Sequence, residues 1–411
     1  MPTENDMTAL AETINQLPLV DHHVHGALRA DVDRAGLENL LTESDRPVPG
    51  WMTQFDSQLG FAVRRWCAPV LDLSPHASAE DYMDRRTELG TREVNRRLLT
   101  ASGIGRYLVE TGFRGDEILG VTEMAEASGV PAHEVVRLET VAEQLAGAGV
   151  SAAEFPHRFP ELLAELSADA VGLKSIVAYR YGFDFDPTRP SESEVVRAAG
   201  NWLREVETSG AAPVVDPVLL RFLLWSGIDR GLPLQLHSGY GDPDLRLDRC
   251  DPLLLTGWLE LVEPTGVDVL LLHCYPFHRS AGYLAQAYPH VFFDVGLGVN
   301  YTGARSDAII AESLELAPFA KVLFSSDAWG PPELHHLGAL LWRRGMLRAI
   351  GDWVADGDWS TADACRVVRM IGAENATRVY RLPSTTTSNP STSESAEPEN
   401  VPTKHGRSTG A

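Results

Sequence analysis

Eight short apolar segments, separated by longer helical or loop stretches, are the feature of this sequence that most limits its fold. They span residues 19–25, 106–110, 135–139, 171–179, 232–237, 267–273, 291–295 and 322–326. Parallel strands that are buried on both faces read as continuous apolar runs of this kind. The predicted fold class is therefore α/β, with eight strands closed into a (β/α)8 TIM barrel. An open, doubly wound sheet is the alternative, but no glycine-rich phosphate-binding motif follows any of the runs.

The chain is predicted to form one catalytic domain over residues 1–382, since its 411 residues with 44% hydrophobic composition can bury a large core. Residues 26–102 are too many for an ordinary loop after the first strand, and the charged helical pieces at 80–99 predict an inserted helical cap over the barrel mouth. Residues 383–411 are rich in Ser, Thr and Pro and poor in large apolar residues, which predicts a disordered tail.

The charge of the chain excludes several classes of partner. Its 35 Lys and Arg stand against 57 Asp and Glu, a net charge of −22 that repels nucleic acid and anionic membranes. The four cysteines form no C-x-x-C pair, so neither a disulfide framework nor a zinc ribbon is indicated. The N-terminus has acidic residues where a signal peptide has basic ones. We therefore expect a cytoplasmic protein with a small-molecule substrate, and homo-oligomerisation stays open.

Histidines and an aspartate stand at the ends of the apolar runs. His23 and His25 are two residues apart, so alternation along the first strand puts both side chains on one side. His237 and His273 end later runs, and Asp327 follows the last one. Alone, such a histidine bonds a loop carbonyl and such an aspartate caps a helix. All five at the active-site end of one barrel instead predict a site for one or two divalent cations, Zn²⁺ first, with Fe²⁺ or Mn²⁺ as alternatives.

Three further residues are candidate substrate contacts. Arg180 shares strand parity with Lys174 and lies nearer the mouth, so it is expected either to clamp a substrate carboxylate or to be solvated in a loop. Asp242 follows His237 in a glycine-rich loop and is a substrate contact or a turn former. Tyr275 lies near the expected rim, where it either contacts substrate or packs.

Several stretches resemble the amidohydrolase superfamily and, within it, the amidohydrolase-related group found beside or fused to glutamine-synthetase-like enzymes. The resemblance spans nearly the whole chain before the tail. It rests on Asp21-His22-His23-Val24-His25, Gly172-Leu173-Lys174-Ser175-Ile176 with Tyr179-Arg180, Leu236-His237-Ser238-Gly239, His273-Cys274-Tyr275-Pro276 with Ala281-Gly282-Tyr283-Leu284, and Ser326-Asp327.

The resemblance implies a role for each candidate ligand. His23, His25 and His237 would hold the metal, Asp327 would ligate it and move protons, and His273 would bind a second metal or polarise the substrate. Some members of the superfamily carbamylate a lysine of the fourth strand to bridge two metals. Lys174 is the corresponding candidate here, unless it lies too deep and pairs with a barrel carboxylate.

The predicted function is hydrolysis of a carbon–nitrogen amide bond. A bound divalent cation lowers the pKa of its water to about 7, so that hydroxide attacks the carbonyl while Asp327 passes the proton to the leaving nitrogen. The group's link with glutamine-synthetase-like enzymes suggests a γ-glutamyl amide as substrate. One alternative is zinc-dependent nonoxidative decarboxylation, as in barrels that resemble aminocarboxymuconate semialdehyde decarboxylase, with Arg180 holding the carboxylate. Another is a non-catalytic metal-binding barrel that serves as a partner protein.

Overall fold

The computed structural model describes residues 4–383, which are built around one curled parallel sheet of seven strands. Each strand pairs in parallel with the next strand along the chain, so the strand order follows the sequence order. The strands are β1 Leu19–Val24, β2 Ile104–Glu110, β3 Ala132–Arg137, β4 Gly172–Ser175, β5 Leu234–Ser238, β6 Val269–His273 and β7 Val291–Phe293. The predicted α/β class and barrel type are confirmed.

The eighth apolar run, residues 322–326, joins β7 to β1 without forming a regular strand. The Leu323 N–H donates to the carbonyl of Phe293 at 3.0 Å on one side. The His22 N–H donates to the carbonyl of Phe324 at 3.3 Å on the other side. The expected eighth strand is therefore an irregular segment held by single hydrogen bonds, and it completes the ring.

Helices surround the sheet and fill the connections between strands, as parallel pairing requires. Within the described residues they are α1 Glu4–Gln16, α2 Arg34–Leu40, α3 Gln58–Ala62, α4 Ala79–Ala101, α5 Val121–Ser128, α6 Leu138–Gly147, α7 Phe155–Leu166, α8 Val177–Arg180, α9 Glu192–Ser209, α10 Pro217–Asp229, α11 Thr256–Val262, α12 His278–Ala287, α13 Gly296–Thr302, α14 Ser306–Ser313, α15 Pro332–Asp356, α16 Thr361–Arg369 and α17 Asn375–Val379. Of these helices, none has the length and apolar character needed to cross a membrane.

The buried apolar side chains form two layers, because successive residues of a strand point to opposite faces. A small cluster fills the barrel interior below the site and includes Val20, Leu108, Val135, Leu270 and Phe292. A larger cluster packs the outer strand faces against the helices. Nearer the carboxyl ends of the strands, polar side chains occupy the inward positions, and these side chains form the site.

The long segment after β1 contains α2, α3 and α4 and is attached to the helix that follows the eighth run. Glu333, fully buried in the first turn of α15, accepts hydrogen bonds from the Tyr82 hydroxyl and from Arg86 Nε, both at 2.9 Å. The treatment of residues 26–102 as a separate cap stays a prediction. The predicted disordered tail lies outside the described residues, apart from residue 383.

Two predicted strands are shorter than the apolar runs suggested. The run at 171–179 is a strand only to Ser175, because the buried carboxylate of Glu139 accepts from the Ser175 hydroxyl at 2.6 Å and from the Ile176 N–H at 3.1 Å. The chain then turns into α8, so Arg180 is on a helix and the strand parity predicted for it is wrong. The run at 135–139 likewise ends as a strand at Arg137, and Glu139 stands in the first turn of α6.

Candidate metal centre

The carboxyl ends of the strands bring His23, His25 and Asp327 together. Their candidate ligand atoms all lie within 4.8 Å of one another, the one such group of three within residues 4–383. His23 Nε2 is 3.1 Å from Oδ1 of Asp327. Two imidazoles at the end of β1 and a carboxylate from the closing segment therefore converge on one point, as their spacing predicted.

Gln235 fixes which nitrogen of His23 carries the proton. The amide nitrogen of Gln235 donates to the carbonyl of His22 at 2.8 Å and to the Tyr380 hydroxyl at 2.7 Å. Its carbonyl oxygen then faces His23 Nδ1 at 2.7 Å and can only accept a hydrogen bond. The proton of His23 is therefore on Nδ1, and the lone pair of Nε2 points toward Asp327.

His25 is held in the matching tautomer by the end of β2. Its Nδ1 donates to the backbone carbonyl of Glu110 at 3.3 Å and lies 3.4 Å from the Glu110 carboxylate. Burial lowers the pKa of His25 to about 4, so the ring is neutral at physiological pH. The buried Glu110 carboxylate is itself paired with Arg137, which offsets the cost of burial and keeps the pKa of Glu110 below its usual value.

His237 and His273 lie beside this group with buried nitrogens that have no partner. Their side chains are almost fully buried, and neither Nε2 of His237 nor Nδ1 of His273 forms a hydrogen bond. The two ring centroids are 4.8 Å apart, and His273 lies 5.2 Å from His23. A buried polar atom without a partner costs about 1–3 kcal/mol, so these nitrogens indicate a missing ligand.

The residues present fit a divalent cation. Metal binding requires neutral imidazoles, and burial holds the pKa of His23, His237 and His273 well below the usual value. A set of histidine nitrogens with one carboxylate suits Zn²⁺, Fe²⁺ or Mn²⁺ and does not distinguish among them. His237 is not part of the group within 4.8 Å, and its predicted ligand role stays a prediction.

Lys174 reaches the centre from β4. Its Nζ is 3.3 Å from Nε2 of His23, and the side chain is 2% exposed. Within the described part of the chain, Lys174 forms no ion pair with a barrel carboxylate. The structure therefore does not show the alternative in which the lysine lies below the site and pairs with such a carboxylate. Burial lowers the pKa of Lys174 to about 8, with Asp327 acting in the opposite direction. Carbamylation of this lysine stays a prediction.

Two candidate residues have left-handed backbone conformations that turn their side chains toward the centre. The φ angles are +66° at His273 and +48° at Asp327, values that few non-glycine residues adopt. The His273 N–H donates to Asp294 Oδ1 at 3.1 Å, and the Asp327 N–H donates to the carbonyl of His23 at 3.2 Å. Such conformations cost about 1–3 kcal/mol each and persist where the surroundings enforce them.

The three predicted substrate contacts have different environments. Arg180 donates to Glu143 at 2.9 Å, so it is already paired with one carboxylate. Asp242 is in the loop after β5 and lines a cavity. The Tyr275 carbonyl accepts from the Tyr240 N–H at 2.6 Å, so Tyr275 shapes the rim through its backbone. A substrate role for each of the three stays a prediction.

A cavity of about 360 Å³ adjoins the metal centre. Its lining residues are Thr42, Glu43, Ser44, Tyr240, Gly241, Asp242, Pro243, Leu245 and Leu247. Gly241 forms the wall toward the centre, since a Cβ there would come within 3.1 Å of His237 Nε2 and would collide with the Tyr179 hydroxyl. A larger residue at position 241 would therefore disturb the contact between this wall and the centre.

A buried polar layer behind the ligands was not predicted as such. Asp21 accepts from the Ser326 N–H at 2.9 Å and from its hydroxyl at 2.5 Å. Asp294 is fully buried and pairs with His22 at 3.1 Å and with the Ser325 hydroxyl at 2.7 Å. These carboxylates hold β1, β7 and the closing segment in register.

Four residues of the site escaped the sequence analysis. Strand alternation could have indicated Gln235, which is two residues before His237 on the same strand face. The position of Glu110 at the end of the second apolar run could have indicated it too. No local pattern marks Glu43, because the fold alone brings it to the centre. Tyr179 belongs to one of the stretches that carry the family resemblance, but no role was predicted for it.

Comparison with known proteins was made against sequence families, curated proteins and solved structures. The amidohydrolase family profile matches residues 122–382, more than half of the chain. The protein fluG of Emericella nidulans is 31% identical over 242 residues. That alignment covers 56% of this chain but 28% of fluG, so this chain corresponds to a minor part of that longer protein.

The structural similarities agree with the barrel. A Lactobacillus casei protein assigned as a metal-dependent hydrolase superposes with a TM-score of 0.79 at 28% identity, over 90% of this chain and 97% of that one. The uronate isomerase of Thermotoga maritima gives a TM-score of 0.60 at 12% identity, over 92% of this chain and 98% of that one, which shows a shared fold alone. With the family match and the convergent histidines, these similarities establish that the chain belongs to the amidohydrolase family, a family of metal-dependent enzymes that act on small molecules.

Proposed function

We propose that this protein hydrolyses a carbon–nitrogen bond of an amide at the centre formed by His23, His25 and Asp327. The observation that carries the proposal is the convergence of neutral imidazoles and one carboxylate, with the unpartnered nitrogens of His237 and His273 beside them. Zn²⁺ is the proposed cation, and a bound cation there would lower the pKa of water toward 7 and polarise a carbonyl.

The residues of the chain supply the remaining steps. Asp327 offers a carboxylate at the centre, with Oδ1 toward His23 and Oδ2 at 3.3 Å from His273 Nδ1. It is placed to accept the proton of the attacking water and to return it to the leaving nitrogen. The imidazole of His273 is placed to orient the substrate carbonyl or to assist as a further ligand.

The substrate proposed in more detail is a γ-glutamyl amide. Its support is the resemblance to proteins that accompany glutamine-synthetase-like enzymes. The α-ammonium of a glutamyl group would find carboxylates in the adjoining cavity. Its α-carboxylate would need a cation, and the nearest predicted one, Arg180, is paired with Glu143.

The two alternatives have less support from the geometry. Nonoxidative decarboxylation needs a group that holds the substrate carboxylate, and the pairing of Arg180 removes the residue predicted for that role. A non-catalytic metal-binding barrel would need the same neutral histidines, but it has no use for a cavity beside the metal centre. Carbon dioxide release from an aromatic or enolic acid would favour the first alternative, and metal binding without turnover of any substrate class would favour the second.

The test measures metal content and turnover on the same preparation of the protein. Purified protein is analysed for transition metals and assayed, after loading with Zn²⁺, on a panel of γ-glutamyl amides and simple acyl anilides. We expect about one equivalent of metal and metal-dependent amine release, both lost in His237→Ala and both kept in the exposed control Gln144→Leu. Absence of metal after incubation with Zn²⁺, Fe²⁺ and Mn²⁺ would overturn the mechanism, and metal without amine release would overturn the amide assignment.

A further inference from the structure

Two carboxylates in the cavity beside the metal centre have no cationic partner. Glu43 and Asp242 both line the cavity, and neither forms an ion pair with an arginine or lysine within residues 4–383. Burial and the charge of Asp242 raise the pKa of Glu43 to about 7, which is the expected response of a carboxylate without a counter-ion. Elsewhere in the fold, buried carboxylates such as Glu110 and Glu333 do have arginine partners.

The cationic side chains around the centre already have partners. Arg137 pairs with Glu110, and Arg180 pairs with Glu143. Lys174 contacts His23 inside the centre itself. The cavity therefore offers negative charge without offering a cation, so it is poorly suited to a carboxylate or phosphate group of a substrate.

Aromatic rings complete the lining of the cavity. Against the rise that burial causes, Tyr301 beside Glu43 lowers the pKa of that carboxyl, and the rings of Tyr301 and Tyr240 are in edge contact at 5.6 Å. Tyrosine faces attract cations, and this attraction grows where water is excluded. Carboxylates set among tyrosines are thus a typical environment for an ammonium group.

Gly241 and Tyr179 lie between the cavity and the centre. The Tyr179 ring packs on His237 at 4.4 Å between centroids, and its hydroxyl lies against the Gly241 backbone. His237 is 5% exposed, and its unpartnered Nε2 faces Gly241 in the cavity wall. A ligand in the cavity therefore lies next to the position where the scissile bond would be held.

We propose that this cavity is a subsite for an ammonium group of the substrate, with Glu43 and Asp242 as its counter-charges. The proposal rests on the proposed amide hydrolysis and specifies its substrate class: amides whose acyl or amine part carries a positive charge a few bonds from the scissile carbonyl. Glu43 comes from the segment after β1 and Asp242 from the loop after β5, so both segments determine the charge preference.

The experiment compares three matched substrates with the zinc-loaded enzyme. The para-nitroanilides of aminohexanoic, heptanoic and pimelic acid place an ammonium, a methyl or a carboxylate group at the same distance from the amide. We expect kcat/KM for the ammonium compound to exceed that for the methyl compound by about tenfold or more, the usual effect of hydrogen bonds to a charged group. The carboxylate compound should be the poorest of the three.

Variants identify the residues responsible. Glu43→Gln and Asp242→Asn keep the shape of each side chain, and each should reduce the ratio of kcat/KM for the ammonium compound to kcat/KM for the methyl compound to a few fold. Glu161→Gln removes one exposed negative charge from α7 and serves as the matched control, with the preference intact. Thermal melting checks that every variant is folded.

The outcomes separate the subsite from the proposed reaction. Equal rates for the ammonium and methyl compounds, or a preference for the carboxylate, would overturn the subsite even if amides are hydrolysed. If none of the anilides is hydrolysed, binding of hexylamine is measured by saturation-transfer NMR in the zinc-loaded protein. Binding that weakens in Glu43→Gln but not in Glu161→Gln would support the subsite while the amide assignment fails, and binding equal in all three proteins would overturn it.

Discussion

Replacement of Gln235 by leucine tests the claim that this residue sets the tautomer of His23. Leucine has a similar volume but cannot accept from His23 Nδ1 or donate to the carbonyl of His22. The Tyr380 hydroxyl keeps a partner, since it also lies 3.0 Å from Nδ1 of His22. Two buried polar groups are thus left unsatisfied, at about 1–3 kcal/mol each, so the free energy of unfolding should fall by about 2–6 kcal/mol.

The larger diagnostic effect is on metal affinity. Without its acceptor, His23 can rotate or carry its proton on Nε2, the nitrogen that faces Asp327. Loss of a hydrogen bond behind a metal ligand typically weakens metal binding by about 10–100-fold. Gln235→Leu should show this loss in chelator competition, whereas the exposed Gln144→Leu should match the wild type.

One outcome would refute this reasoning about Gln235. If Gln235→Leu is less stable to denaturant but binds zinc within about twofold of the wild type, Gln235 supports the barrel interior without orienting His23. The expected 10–100-fold loss of zinc affinity corresponds to about 1.4–2.8 kcal/mol of binding free energy, which is well above the error of a competition assay. The two readouts therefore separate orientation of the ligand from general stabilisation.

Three further predictions concern the centre and its surroundings. His237→Ala should lose metal and activity together, whereas Asp327→Asn should keep part of the metal and lose most turnover; equal metal loss in both would contradict the proton-transfer role of Asp327. Lys174→Met should bind divalent cations more tightly if the lysine is a free ammonium beside His23, and loss of one of two bound metals in this variant would instead indicate a carbamate. Burial lowers the pKa of His336 from 6.5 to about 4, so the unfolded state binds a proton at a higher pH than the folded state does. The neutral His336 ring contributes fully to the free energy of unfolding above pH 6.5. This free energy falls by about 3 kcal/mol as the pH falls to about 4. His336→Leu should flatten denaturant midpoints over that pH range, and an unchanged slope would contradict the assignment.

The sequence predicted the barrel, and it placed the candidate ligands at the strand ends, because both inferences depend on local patterns. A strand buried on both faces must be apolar along its length, and residues at its carboxyl end must then face the active-site side. His23, His25, His273 and Asp327 followed from that rule without knowledge of their neighbours. The same rule failed at residues 171–179, where Glu139 from the preceding helix ends the strand at Ser175.

The partners of the charged residues were not predictable in the same way. Arg180 had two reasonable roles in the sequence, and its pairing with Glu143 depends on how α6 and α8 pack. Asp294 and His22 are 272 residues apart, yet they form a buried pair. Such pairings are set by the packing of whole elements, and a single sequence carries no local record of them.

The distribution of paired and unpaired charge connects the metal centre with the cavity above it. Behind the ligands, each buried carboxylate has a fixed partner, as Glu110 has Arg137 and Asp294 has His22. Asp327 in the centre and Glu43 in the cavity have no arginine or lysine partner within residues 4–383, and repulsion from the Glu43 carboxylate further raises the pKa of Asp327. A cation bound at the centre or in the cavity lowers this repulsion. A metal at the centre and an ammonium group in the cavity should therefore not compete electrostatically as long as both carboxylates are ionised.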